Sequence, residues 1–193
     1  MTPQISQVAA RSFEGLYREN PDPWNFAGSD YERSRYATTL AALSRDSYGT
    51  AFEPGCSVGE LTVRLAARCS RVLAIDIAPS AVARAQRRCR DCTNVDIVCG
   101  DVAAGVPVGP FDLMVFSEIG YYFELDALRG IAAALAGRLQ PRGEFIAVHW
   151  LGHSRDHVLH GDAVHELLKQ CLPLQWQKGA RYGGFRIDTW VHR

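Results

Sequence analysis

The stretch Thr50-Ala-Phe-Glu-Pro-Gly-Cys-Ser-Val-Gly-Glu-Leu-Thr62 constrains this chain more than any other. A short apolar run reaches Glu53, glycines stand at Gly55 and Gly59, and amphipathic helical spacing begins at Glu60. Arg71-Val-Leu-Ala-Ile75 then supplies a second β-rich run, which ends at Asp76. Strand, glycine-bearing loop, helix, strand and acid, in that order, belong to an open α/β sheet. Ligands bind such sheets beyond the carboxyl ends of the strands, and an acid about 20 residues after the loop can take ribose hydroxyls. Gly55 permits a sharp turn, and Gly59 is expected to let a ligand approach where a Cβ would stand. The stretch reads as a nucleoside site.

A dinucleotide would call for G-x-G-x-x-G, so that pyrophosphate sits on the helix N-terminus. Here Ser57 stands where the second glycine of that fingerprint belongs, and no G-x-x-x-x-G-K-[ST] occurs to bind a triphosphate. Glu53-Pro-Gly55-Cys-Ser57-Val-Gly59 instead resembles the first motif of class I S-adenosylmethionine-dependent methyltransferases, E/D-x-G-x-G-x-G, with Ser57 at the middle glycine. Serine is small and keeps its amide. The resemblance implies a mostly parallel seven-stranded Rossmann-like sheet with helices on both faces and an antiparallel terminal strand. It also implies S-adenosyl-L-methionine as cofactor, leaving as S-adenosyl-L-homocysteine.

At 193 residues the chain is expected to form a single domain, 1–193, with 1–29 as an N-terminal extension or flap. Lys+Arg and Asp+Glu balance at 21 each, which gives no electrostatic reason to expect nucleic acid or an anionic membrane as partner. No apolar run approaches the roughly 18–20 residues of a membrane span, and Met1-Thr-Pro-Gln-Ile has no signal-peptide character. The expected compartment is the cytoplasm. There, cysteine serves as a small buried hydrophobe; Cys89-Arg-Asp-Cys92 has no second pair at zinc-site spacing.

In chain order, Ser6 to Tyr17 can form a short helix. Asn20-Pro-Asp-Pro-Trp24-Asn-Phe26-Ala-Gly28 cannot, and its aromatics suit either a brace over the sheet edge or a flap over the ligand. Ser29 or Asp30 can cap a helix from Tyr31 to about Leu43, on which Tyr31 and Arg35 share a face. In methyltransferases of this class that helix often borders the cofactor. Arg35 could then fork onto the methionine carboxylate; the alternative is a solvated arginine. The expected strands are Thr50–Glu53, Val72–Ile75, Val95–Cys99, Phe111–Ser117 and Glu144–Trp150. The helices between them are Glu60–Ala67, Ala81–Arg90 and Leu125–Leu139, with the arginines of the second forming a solvent face. A helix from Asp162 to Cys171 and a hairpin of Leu174–Lys178 with Phe185–Val191 complete the chain.

Asp101 directly follows the third strand, as the class requires. Its carboxylate can accept from the adenine amino group, the Val102 amide can donate to the ring, and Asp76 with Ile77 takes the ribose side. Ser117 ends the fourth strand beside the cofactor. Glu118-Ile-Gly-Tyr121-Tyr122 follows where the reacting atoms should lie, without the Asn/Asp-Pro-Pro-Tyr/Phe signature of base methylation, so a flipped base is disfavoured. For an amine acceptor, Glu118 would orient the nitrogen and stabilise the cationic product. For a hydroxyl, His149 at the end of strand five is the candidate base. Tyr121, Tyr122 and Trp150 offer faces that stack on sugars or fill a core. His149, His153, His157, His160 and His165 show no recognised ligand pattern, and no metal is expected.

Asn20-Pro-Asp-Pro-Trp-Asn-Phe-Ala-Gly-Ser-Asp-Tyr-Glu-Arg and Phe116-Ser-Glu-Ile-Gly-Tyr-Tyr resemble the nodulation N-methyltransferases of rhizobia over the whole chain. That resemblance implies methylation of the free amine of the non-reducing-end glucosamine in a deacetylated chitooligosaccharide. Trp24 and Tyr31 would then join the sugar-binding groove, and no obligate protein partner is inferred. The rival readings are an O- or N-methyltransferase of another small metabolite and a non-catalytic nucleoside-binding domain.

Overall fold

Near-continuous apolar runs mark strands covered on both faces, which have no solvent side to alternate with. Phe111–Ser117 is such a strand, buried at every position. In the computed structural model, which describes residues 7–193, the chain runs α1 (Gln7–Glu19), α2 (Asp30–Ala42), β1 (Tyr48–Pro54), α3 (Glu60–Ala66), β2 (Cys69–Asp76), α4 (Pro79–Arg88) and β3 (Val95–Cys99). It continues with β4 (Phe111–Ser117), a 3-10 turn Gly120–Tyr122, α5 (Leu125–Ala136), β5 (Leu139–Trp150), α6 (Gly161–Cys171), β6 (Gln175–Arg181) and β7 (Phe185–Val191).

The strands form one seven-stranded sheet in the order β3-β2-β1-β4-β5-β7-β6. The first five are parallel, and β7 inserts antiparallel between β5 and β6. This is the class I methyltransferase sheet. The strand order reverses between β1 and β4, so a crevice opens where the chain leaves Pro54 and Ser117. Asp112, buried among the apolar residues of β4, locks the two switch strands by accepting from the Gly49 and Thr50 amides, both at 2.7 Å.

Several elements extend beyond their expected bounds. β5 begins at Leu139, because Gln140-Pro141-Arg142-Gly143 does not leave the sheet: Arg142 takes a left-handed φ of 65° inside an irregular register and donates its amide to His192. Ser29 caps α2 by accepting from the Glu32 amide. One core layer packs α5 and α6 against β4 and β5, centred on Phe116, Phe145, Leu128 and Trp190. The other packs α2 and α3 against the opposite face, around Leu65, Leu113 and Ile146. No described helix is long and apolar enough to cross a membrane.

Candidate active site

The loop after β1 is held in an unusual backbone path. The Gly55 and Cys56 amides both donate to the Ile75 carbonyl, at 2.7 and 2.9 Å, which folds the loop over the end of β2. Gly55 has φ +75°, and a Cβ there would come within 2.3 Å of Ile119 Cγ2. Ser57, at the motif's middle glycine, adopts the left-handed conformation itself, with φ 50°, at a cost of about 1–2 kcal/mol. Two contacts fix it there: its amide donates to Asp76 Oδ2 at 2.8 Å, and its Oγ accepts from the Tyr17 hydroxyl at 2.5 Å.

Gly59 corrects an expectation. It lies at φ +80° with α4 against its Cα, where a Cβ would stand 3.0 Å from the Ala85 backbone. Its missing side chain serves helix packing, and it does not line the cavity. Glu53 is likewise sealed beneath the loop, accepting from Thr62 Oγ1 at 2.6 Å, and burial pushes its carboxyl up to about 8. With Ser117, Arg35 and Tyr36 it borders a small recess under the loop, not the main crevice.

The main crevice is a cavity of about 440 Å³ at the switch point. Asp76, Ile77, Asp101 and Val102 line one end beside Gly55 and Ser57. Asp76 Oδ1 also accepts from the Ala78 amide at 2.9 Å, and burial raises its carboxyl to about 6. Asp101 Oδ1 accepts from the Ala103 amide at 2.8 Å; burial raises this carboxyl too. Phe13 and Tyr17 of α1 line the same crevice, as do Trp24 and Phe26, whose rings stack at 5.6 Å. The N-terminal residues form part of the cavity wall, a role their sequence left open. Glu14 ties α1 to the start of α4, accepting from the Ser80 amide and hydroxyl at 2.9 and 2.7 Å.

Glu118 stands at the other end in a left-handed turn, φ 59°. Its Oε1 accepts from the Trp150 amide at 2.8 Å and its Oε2 from the Tyr121 hydroxyl at 2.7 Å. Burial pushes this carboxyl up, against the pull of Arg35 and Tyr121. Arg35 is not a free fork for a ligand carboxylate. Its Nε donates to Glu32 Oε2 at 2.9 Å, Nη2 joins the same oxygen, and Nη1 pairs with Glu118 Oε1. Tyr31, Tyr122 and Trp150 line the crevice; Tyr121 does too, but its ring is covered by His157, stacked at 3.8 Å.

His149 as a base is corrected. It is 0% exposed, its Nε2 accepts from the Gly120 amide at 3.0 Å and its Nδ1 faces His165 Nε2 at 3.2 Å. Burial first, then nearby His165 and Arg35, holds its pKa well below the usual value. Sequence reasoning missed the placement of Glu32, Phe13, Tyr17 and His157 in the wall. Glu32 could have been found from its i, i+3 spacing to Arg35; the others carry no local signal. Among the described residues, no cluster of His, Cys, Asp and Glu could hold a metal.

A switch-point crevice with one acid after β2 and another after β3 defines the class: S-adenosylmethionine-dependent methyltransferases on the class I sheet. Within it, the chain belongs to the family described as Nodulation protein S (NodS), which matches residues 14–175. It is similar to Nodulation protein S of Sinorhizobium fredii (strain NBRC 101917 / NGR234), 32% identical over 146 residues that cover 74% of this chain and 67% of the relative. The protein of that name from Rhizobium tropici is 31% identical over 160 residues, 78% of this chain and 66% of the relative. The chain thus spans about two thirds of the length of these curated relatives. Among solved structures, a Pseudomonas syringae protein is 35% identical, with a TM-score of 0.72 over 84% of this chain and 99% of that one. N-methyltransferase NodS from Bradyrhizobium japonicum WM9, in complex with S-adenosyl-L-homocysteine, shares the fold at 22% identity, with a TM-score of 0.83 over 95% and 98% of the two chains.

Proposed function

We propose that the protein methylates the free amine of the non-reducing-end glucosamine of a deacetylated chitooligosaccharide. The observation that carries this reading is the charge of the cavity wall. Glu32, Asp76, Asp101 and Glu118 line it, while lysine and arginine are absent from the wall among the described residues. Arg35 lies behind it and neutralises only one of the two glutamates it touches. Such a wall favours a cation and repels phosphate or carboxylate acceptors.

The cofactor supplies a methyl group already activated by its sulfonium. Asp76 is assigned the ribose hydroxyls, Asp101 the adenine amino group and the Val102 amide the ring, in keeping with the nucleoside product bound to the Bradyrhizobium NodS. At the far end the acceptor nitrogen must be neutral to attack. In free solution an amine with a pKa of about 7.7–8.0 is roughly a tenth to a fifth neutral at pH 7, so the neutral form can enter the crevice without a strong base. Glu118 aims the amine at the methyl carbon, and with Glu32 it stabilises the ammonium that forms. Tyr31, Tyr122 and Trp150 offer the flat surfaces for the sugar.

Incubation with labelled S-adenosylmethionine and a panel of acceptors tests this: the N-deacetylated oligosaccharide, its fully acetylated parent, catechols and small amines. The expected result is transfer to the deacetylated sugar alone. Transfer to the acetylated parent as well would remove the amine reading.

A further inference from the structure

The buried histidines that the chemistry does not use form a single oriented chain. The Gly120 amide donates to His149 Nε2 at 3.0 Å, so that nitrogen carries the lone pair and Nδ1 carries the proton. His149 Nδ1 then donates to His165 Nε2 at 3.2 Å, which fixes the proton of His165 on its own Nδ1. From there it donates to Asp188 Oδ2 at 2.7 Å. His149, His165 and Asp188 are all 0% exposed. Asp188 ends the chain as a carboxylate, held also by Trp176 Nε1 at 2.8 Å and Arg186 Nε at 2.7 Å, with Lys169 at 3.4 Å. Every donor in the series points from the crevice toward β7.

The hydrogen-bond chain starts on the segment that carries Glu118. A Cβ on Gly120 would meet Val164 at 2.5 Å and His149 Nε2 at 2.7 Å, so the glycine is wedged between β5 and α6. Two residues earlier Glu118 holds its left-handed turn, and one residue later Tyr121 returns its hydroxyl to Glu118. The His149 ring also packs edge-on against Tyr121, centroids 5.4 Å apart.

We infer that Asp188, His165 and His149 are positioning residues: a buried relay that pins the Gly120 amide and so sets where the Glu118 carboxylate stands in the crevice. Its catalytic half rests on the role proposed for Glu118; its structural half does not. Both imidazoles must be neutral and share one tautomer, since each spends its single lone pair within the chain. A side chain with no acceptor at the Nε2 position of His149 would leave the loop free to drift, and a displacement of about 1 Å can cost up to about a hundredfold in rate.

The test compares His149→Phe, His149→Asn and His149→Gln in the full chain. Glutamine can place an acceptor at the Nε2 position and keep the Gly120 bond; asparagine reaches only the Nδ1 position; phenylalanine keeps the shape alone. The expected result is a kcat lowered about ten- to a hundredfold in the Phe and Asn variants, with S-adenosylhomocysteine affinity retained and most of the rate restored in the Gln variant. Imidazole ¹⁵N spectra of the wild type should show Nδ1–H tautomers for both histidines at neutral pH. An imidazolium, an Nε2–H tautomer or equal loss in all three variants would overturn the relay. If Glu118→Gln keeps the wild-type rate while His149→Phe still shifts the Gly120 and Glu118 amide resonances, the positioning stands and only the catalytic reading fails.

Discussion

The two ends of the crevice are built in different ways. At the adenosyl end, Asp76 and Asp101 each hang from the end of a strand and are fixed by amides of their own turn, with the Ser57 amide added from the neighbouring loop. At the acceptor end, Glu118 is fixed by Arg35 of α2, the Trp150 amide of β5 and the hydroxyl of Tyr121. One end is a product of local backbone conformation. The other exists only once segments over 80 residues apart have come together. The first should therefore tolerate change elsewhere in the fold, and the second should register it.

The largest expected effect is at the acceptor end. Glu118→Gln should lower kcat by about 10²- to 10³-fold while leaving S-adenosylhomocysteine affinity near wild type, measured by steady-state kinetics and calorimetry. Equal losses in both would mean that the two ends are not separable. Asp76→Ala should do the converse, weakening the nucleoside by roughly ten- to a hundredfold, as expected for losing charge-assisted hydrogen bonds. Gly59→Ala should lower thermal stability by about 1–2 kcal/mol and change affinity less, because the new Cβ meets α4 rather than a ligand. Loss of affinity at unchanged melting temperature would restore the ligand-approach reading. Asp101→Asn should cost only about 1 kcal/mol in nucleoside binding, since the amide oxygen of asparagine still accepts a hydrogen bond where the carboxylate did.

The pH dependence of stability should be shallow, because two opposing sets of groups titrate together. Burial depresses the pKa of His149, helped by His165, Arg35 and His157, and that of His165, helped by Arg186 and opposed by Asp188 and Asp162. The unfolded chain then binds more protons than the fold, so stability is lost as pH drops below the ordinary histidine value of 6.5. Glu53, raised to about 8, and Asp76, raised to about 6, act in the other direction: the fold binds more protons, and stability grows as pH falls through those values. In Glu53→Gln one opposing group is gone, and the loss below about 6.5 should steepen in chemical denaturation. An unchanged profile would mean that Glu53 is not perturbed in the fold.

What the sequence made legible divides along the same line. Strand ends, Asp76, Asp101 and the left-handed Gly55 follow from periodicity and from a local motif, because short-range sterics decide them. His149 was misread because β5 is buried on both faces: alternation places it and Trp150 on opposite sides, but apolar character cannot say which side is the crevice. Trp150 lines the cavity and His149 turns under α6. Arg35 was read as free because its isolated spacing shows a helix face, not the Glu118 carboxylate brought in from the end of β4. Phe13 and Tyr17 read only as part of a short helix; the docking of α1 on α4 and the loop after β1 is what turns them toward the cavity.

Calorimetric titration of S-adenosylhomocysteine into the wild-type chain tests the central claim most directly. One nucleoside should bind per chain, with the affinity sharply reduced in Asp76→Ala and largely retained in Glu118→Gln. Absence of binding to the wild type, or a loss that follows Glu118 instead of Asp76, would contradict a crevice that grips the adenosyl group at one end and the acceptor at the other.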